Sequence, residues 1–142
     1  MKFIDEEKIE NKKVILRCDF NVPIENGKVL DDTKIVKSLK TINYLLDNNC
    51  SLILLSHLGR VKSRKDKLEK SLLPVKDVLS NLLNKEVKFV SSPVGMEVIN
   101  VCKELMPKEV ALLENTRFCD YPEKLESHND LNLAKYWSVL GD

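Results

Sequence analysis

The sequence predicts an α/β fold: a three-layer arrangement with a parallel β-sheet and helices on both faces. Two observations carry the prediction. Short β-type runs alternate with helical patterns along the chain, the order expected of a sheet built from crossover units. The second such run, SLILL at 51–55, is apolar without alternation, the signature of a strand buried on both faces.

The elements follow in order. A first strand is expected at 13–18 (KVILRC), where Val14, Ile15 and Leu16 run together. Asn26-Gly27 marks a turn. A helix at about 34–46 sets Ile35, Val36, Leu39, Ile42, Leu45 and Leu46 on one stripe. Asp32 or Thr33 is placed to cap it, because either side chain accepts from the free N–H groups of a first turn. After the strand at 51–55, a polar, basic loop is expected at 61–70. A second helix starts at Ser71, with Pro74 in its first turn, where a missing N–H costs little. Its apolar face holds Leu72, Leu73, Val75, Val78, Leu79, Leu82 and Leu83.

A third strand is expected at 86–90, a turn at 93–95, and a third helix at 96–105 with Val98, Val101, Cys102 and Leu105 as its stripe. Pro107 ends that helix, and a fourth strand follows at 109–113. A loop at 114–129 leads to a fourth helix at about 130–140, with Leu133, Ala134, Trp137 and Leu140 as buried candidates. No repeat, low-complexity segment or interdomain linker interrupts the pattern. The last helix stops at Leu140-Gly141-Asp142, where a C-cap glycine should release the chain into another strand. The expectation is therefore a single partial domain, 1–142, whose last helix lacks its crossover partner. Such a chain should fray at 130–140 or self-associate.

Composition narrows the function classes. The 142 residues include 23 basic and 22 acidic side chains, a net charge of +1. No global field points to nucleic acid or to an anionic membrane, so any anion site must come from a few converging basic groups. The charged start MKFIDEEKIE has no signal-peptide apolar region, and no apolar run approaches the ~20 residues that span a bilayer. Cys18, Cys50, Cys102 and Cys119 form no C-x-x-C pair, and there are only two histidines, so metal-ligand spacing is absent. Four reduced thiols in a cytoplasmic protein are expected.

Three motifs sit where strands end: Arg17-Cys18-Asp19-Phe20-Asn21-Val22-Pro23, then Ser56-His57-Leu58-Gly59-Arg60, then Glu114-Asn115-Thr116-Arg117-Phe118. In a parallel sheet the strand C-termini share one edge, and ligands of open α/β sheets bind outside it. Topology therefore gathers Arg17, His57, Arg60 and Arg117. Guanidinium groups fork onto phosphate or carboxylate oxygens, and Gly59 lets backbone approach a ligand closely. Asp19 and Asn21 are placed to orient the arginines or to accept sugar hydroxyls.

Each residue alone has a plainer reading. Arg17 could simply pair with Asp19 and Arg117 with Glu114; His57 could be a structural hydrogen-bonding group, and Gly59-Arg60 a turn. Taken together, the three strand ends point to a small, multiply anionic ligand. The basic loop at 60–70 contains no aromatic residue for base stacking, which favours a solvated loop over a nucleic-acid patch. No P-loop or Gly-x-Gly-x-x-Gly occurs, so the chain carries no nucleotide-binding signature of its own.

The same residues resemble a known family. Arg17-x-Asp19-x-Asn21-x-Pro23, Ser56-His57-Leu58-Gly59-Arg60 and Leu113-Glu114-Asn115-x-Arg117-Phe118 are similar, in order and spacing, to the signatures of phosphoglycerate kinases. Lys85-x-Val87-x-Phe89 and Leu140-Gly141-Asp142 fit the intervening pattern, so the resemblance covers nearly the whole chain. It implies the Rossmann-like N-terminal lobe of a two-lobed enzyme. That lobe binds 3-phosphoglycerate or 1,3-bisphosphoglycerate, while a second lobe, absent here, binds Mg·ADP or Mg·ATP. The implied reaction is the glycolytic exchange of a phosphoryl group between acyl phosphate and ADP, and the implied enzyme is a cytoplasmic monomer. No nucleotide, nucleic acid or membrane is expected to bind this chain alone.

By position, the resemblance implies that Asp19, Phe20 and Asn21 line the glycerate site. His57, Gly59, Arg60 and Arg117 would hold the phosphate, with Arg17 in support. Lys34 stands where an arginine is usual near the transferring phosphoryl group. It is the candidate catalytic residue, keeping the charge without the planar fork. Other departures are Val61 for a usual proline, Cys119 where histidine is common, Thr116 for an apolar residue, and Ser91-Ser92-Pro93-Val94-Gly95 for an acidic, cysteine-bearing turn.

Overall fold

All five residues of Ser51–Leu55 are buried, and the reason is visible in where their side chains go. Leu52 and Leu54 join one apolar cluster while Ile53 and Leu55 join another, the period-two alternation of a strand covered on both sides. The fold is seen in a computed structural model that describes residues 8–120, 126 and 130–142.

The sheet has four parallel strands in the order β1-β4-β6-β5. These are β1 (Lys13–Arg17), β4 (Ser51–Leu55), β6 (Val110–Leu113) and β5 (Val87–Val90). The registers Ile15 to Ile53, Ile53 to Ala111 and Phe89 to Leu112 keep their C-terminal ends level. Helices α1 (Thr33–Asp47) and α3 (Leu73–Leu83) cover one face through Ile35, Ile42, Leu45, Val75 and Leu79. Helices α4 (Met96–Glu104) and α5 (Leu131–Ser138) cover the other through Val98, Cys102, Leu133 and Trp137. The chain moves across the sheet from β1 to β4 to β5 and then steps back to β6. Because crossovers are right-handed, that reversal sends α4 to the opposite face.

Three local features depart from expectation. The segment 61–70 is not wholly a loop: α2 (Arg64–Glu69) forms there, although none of its residues is buried. Its start is set by Ser63, whose Oγ accepts from the Asp66 N–H at 3.2 Å, while Asp66 Oδ2 accepts from the Lys62 N–H at 2.8 Å. Around Asn26-Gly27 a small antiparallel hairpin appears, β2 (Ile24–Glu25) with β3 (Lys28–Val29), and both turn residues have positive φ. At α1, Asp32 is the N-cap without a side-chain cap bond. Asp31 Oδ1 instead accepts from the Thr33 N–H at 2.9 Å and its hydroxyl at 2.5 Å.

The burial expected to be lost at the last helix is present in the structure. Leu133, Trp137 and Leu140 are buried against Ile53, Leu55, Ala111 and Leu113. The helix needs no strand of its own, because β4 and β6 already present an apolar face on that side. Asp130 caps α5 by accepting from the Leu133 N–H at 2.9 Å, and Trp137 Nε1–H donates to the Pro93 carbonyl at 2.9 Å. Beyond α5, the Asp142 N–H donates to the Lys13 carbonyl at 2.8 Å and Asp142 Oδ2 accepts from the Lys13 N–H at 2.7 Å. Gly141 lies so close to β1 that a Cβ would meet the Lys13 carbonyl oxygen at 2.8 Å. Of the loop expected at 114–129, residues 121–125 and 127–129 lie outside the described residues, as do 1–7; Thr116–Asp120 forms a 3-10 turn.

Candidate functional site

The three strand-end motifs are fastened to one another by buried polar side chains. Asn115, wholly buried after β6, uses all of its amide. Its Oδ1 accepts from the Leu58 N–H at 3.1 Å and the Arg117 N–H at 3.0 Å; its Nδ2 donates to the carbonyls of Leu58 at 2.8 Å and Lys70 at 2.9 Å. Ser56, wholly buried after β4, accepts the Phe20 N–H at 2.9 Å on its hydroxyl and the Thr116 N–H at 2.9 Å on its carbonyl. Asn21 Oδ1 accepts from the Gly59 N–H at 2.9 Å. The sheet edge is thus one braced platform rather than three independent loops, which is what a positioned set of charges requires.

Glu114 belongs to the brace. Its carboxylate accepts from the Ser71 hydroxyl at 2.5 Å, the Leu72 N–H at 2.7 Å and the Asn115 N–H at 2.8 Å, tying β6 to the start of α3. It does not pair with Arg117. Both arginines instead meet Glu126: Arg17 Nη2 contacts Oε1, Arg117 Nε donates to Oε2 at 3.2 Å, and the Thr116 hydroxyl lies 3.3 Å from Oε1. Nor does Arg17 pair with Asp19. Asp19 accepts the Asn21 N–H at 3.1 Å, an Asx turn, and its Oδ2 is 3.2 Å from Lys34 Nζ. Neither Asp19 nor Asn21 orients an arginine, as one expectation had it.

Burial pushes the His57 pKa down most, Arg117 and to a smaller degree Arg17 push it the same way, and Glu126 and Asp19 pull against them without reversing the shift. His57 therefore sits below the usual 6.5 and is neutral at pH 7, a hydrogen-bonding group within a field set by both arginines. Slight burial raises the Asp19 carboxyl, but the Asn21 N–H and Lys34 outweigh it and hold it below the usual 3.8. A cleft of about 380 Å³ on the flank of β1 takes in Arg17, Asp19 and Lys34, with Lys37, Ser38 and Thr41 of α1. Asn21 and Gly59 line a second cleft of about 300 Å³.

Two candidates stand apart. Phe20 is 0% exposed and packs in the core, so its side chain is unavailable to a ligand. Arg60 is exposed, and among the described residues its side chain makes no hydrogen bond or ion pair. Sequence reasoning also missed Lys70, whose side chain lies against Gly59: a Cβ there would meet Lys70 Cδ at 3.2 Å. Gly59 has φ +59°, a backbone conformation that favours glycine, while the flexible end of Lys70 could yield the few tenths of an ångström a Cβ would need. The aliphatic-to-cation stretch of α2 contributes at the edge too, with Lys67 Nζ 5.9 Å from the Phe118 ring centroid. Burial pushes the Cys18 thiol up to about 12 and the Cys119 thiol up to about 11, away from the reactive thiolate. No group of three His, Cys, Asp or Glu side chains fit to hold a metal occurs among the described residues. No helix there is long and apolar enough to cross a membrane.

Comparison with known proteins bears on what such an edge belongs to. A family model described as phosphoglycerate kinase matches residues 4–142. The chain is 51% identical over 141 residues to a phosphoglycerate kinase of Listeria innocua, covering 99% of this chain and 36% of that protein. It is 48% identical to one from Mesomycoplasma hyopneumoniae, covering 99% and 35%. The solved phosphoglycerate kinase of Coxiella burnetii matches with a TM-score of 0.80 and 35% identity, over 98% of this chain and 33% of that one. That of Pyrococcus horikoshii OT3 matches at 0.85 and 30%, over 100% and 35%. The chain thus spans about a third of the length of these relatives. With the sheet order, the strand-end motifs and the family match in agreement over nearly every residue, the chain belongs to the phosphoglycerate kinase family.

Proposed function

We propose that this chain carries the substrate half of a phosphoglycerate kinase. In this reading it binds 3-phosphoglycerate or 1,3-bisphosphoglycerate at the C-terminal edge of its sheet. The full-length enzyme then passes a phosphoryl group reversibly between the acyl phosphate and ADP, giving 3-phosphoglycerate and ATP. The observation that carries the reading is that Arg17 and Arg117, from different strand ends, converge on a single carboxylate. Two guanidiniums within reach of one small anion, beside a neutral His57, suit a phosphate with several oxygens to satisfy.

Roles follow from position. Arg117, His57 and Arg60 hold the phosphate, with Gly59 offering close backbone approach and Arg17 in support. Asn21 and Asp19 face the glycerate portion: Asn21 keeps its amide N–H groups as donors once its oxygen is taken by Gly59. Lys34, in the first turn of α1, brings a point charge toward the transferring phosphoryl group, and Asp19 steadies it. Phosphoryl transfer draws mainly on such positioning and charge stabilisation. The described residues do not fit Mg·ADP or Mg·ATP, having neither a phosphate-cradling glycine loop nor a carboxylate cluster, so no step is assigned to the nucleotide here.

Calorimetric titration of the 142-residue chain with 3-phosphoglycerate tests the reading. Saturable binding is expected, weakened at least ~tenfold, about 1.4 kcal/mol, by Arg117→Ala. Absence of binding, or full-strength binding by the variant, would contradict it. The chain alone is expected to form no ATP from ADP and 1,3-bisphosphoglycerate in a coupled assay.

A further inference from the structure

The residue that organises the basic edge is one that no motif contains. Glu126 bridges Arg17 and Arg117, and the Thr116 hydroxyl supports the same carboxylate. Its side chain is 7% exposed, against 52% for Arg17 and 27% for Arg117. A ligand arriving from solvent therefore has freer access to the guanidiniums than to the carboxylate they share.

We propose that Glu126 is a positioning residue of the anion site, a buried carboxylate that clamps Arg17 and Arg117 side by side so that their free N–H edges face one ligand. This rests on the reading of the edge as a phosphoglycerate site. The contact pattern supports it. On Arg117 the carboxylate takes Nε, and among the described residues both terminal nitrogens are left to fork onto an anion. On Arg17 it takes one terminal nitrogen, and among the described residues Nε and the other are left. Two guanidiniums brought to one ligand repel each other, and their flexible side chains would otherwise be ordered at the moment of binding. A shared carboxylate offsets the repulsion and supplies the order beforehand.

The opposite role, an internal mimic that blocks the site until the ligand expels it, fits less well. Expulsion would strip the arginines from a carboxylate already withdrawn from solvent, and an uncompensated buried charge is strongly disfavoured. A blocking group would also be expected to be solvent-exposed, and the Glu126 side chain is only 7% exposed.

The two roles predict opposite signs, which makes the test decisive. Glu126→Gln keeps shape and removes one negative charge from the neighbourhood of an anion. By charge alone, it should tighten binding. Clamping predicts instead that 3-phosphoglycerate binds at least tenfold more weakly to E126Q than to the wild-type chain, with the arginine Nε–H signals of Arg17 and Arg117 losing their separate, slowly exchanging resonances. The unfolding midpoint, followed by the single Trp137, should move little. Glu126→Asp, still charged but one methylene short of bridging both groups, should also bind more weakly; it serves as the deciding variant should E126Q be partly unfolded. Wild-type or tighter binding by a folded E126Q, or by E126D, overturns the proposal while leaving the site itself intact. Failure of the wild-type chain to bind 3-phosphoglycerate at all removes the site reading, and the clamp with it.

Discussion

Replacing Asn115 with alanine should cost more than any single charged residue at the edge. The side chain makes four hydrogen bonds, to the Leu58 N–H and carbonyl, the Lys70 carbonyl and the Arg117 N–H, all between 2.8 and 3.1 Å. It is wholly buried, and so is its neighbour Thr116. A net worth of ~0.5–1.5 kcal/mol per bond gives a loss of about 2–6 kcal/mol. A value near 4 kcal/mol is expected, because the two part-buried partners, the Arg117 N–H and the Lys70 carbonyl, can be re-satisfied by water more readily than the two buried ones. That is a large share of the ~5–15 kcal/mol that holds a domain together. Urea unfolding followed by the fluorescence of Trp137, the only tryptophan, measures it directly; the midpoint should fall with the slope unchanged. Because the same amide joins His57-Leu58-Gly59 to Arg117, binding of 3-phosphoglycerate should weaken even where N115A remains folded. A loss below ~1 kcal/mol would mean that water fills the vacated site and that the loops are not braced through this residue.

Three further outcomes follow from the geometry. The His57 ring proton should titrate with a midpoint below 6.5, and Glu126→Gln should lower it again; a midpoint above 6.5 would contradict the burial and the arginine field that hold it down. Its contribution to stability is full above pH 6.5, where both folded and unfolded forms are neutral. That contribution falls as pH drops from 6.5 through the folded value, because the unfolded chain takes up the proton first. Trp137→Ala should lose ~3–5 kcal/mol, and hydrogen exchange should find the Trp137 indole N–H protected in dilute monomer; rapid exchange there would show that α5 does not dock as described. In the full-length enzyme, Lys34→Arg should raise the rate or leave it unchanged; a tenfold fall in kcat, ~1.4 kcal/mol, would show that the site is fitted to a point charge.

What was legible in the sequence was what burial writes into it. SLILL announced a strand covered on both faces, and the stripe Ile35, Leu39, Ile42, Leu46 announced α1, because apolar spacing is a direct record of packing. Helix α2 leaves no such record, having no buried residue. Its signal lay instead in Ser63-Arg64-Lys65-Asp66, a capping spacing that could have been read. The hairpin at 24–29 has two residues per strand, too few to show alternation, although Asn26-Gly27 marked its turn.

At the candidate site, topology correctly brought Arg17 and Arg117 to one edge, but their partners were not local. Arg17 and Arg117 could have paired with Asp19 and Glu114, their neighbours in sequence. Glu114 is instead used up by Ser71, Leu72 and Asn115, and Asp19 by Asn21 and Lys34. The carboxylate the two arginines share, Glu126, is distant enough from Arg17 that no spacing rule reaches it. Phe20 shows the converse: it lies inside a motif, yet its own side chain serves the core, and the motif's contribution there is the backbone N–H given to Ser56.

The most direct test of the whole account is the map of 3-phosphoglycerate binding on this chain by two-dimensional NMR. Shifts concentrated at Arg17, Asn21, His57, Gly59 and Arg117, with the N-terminal ends of the strands unmoved, are the predicted result. Shifts scattered over the surface, or concentrated away from the C-terminal edge of the sheet, would contradict it.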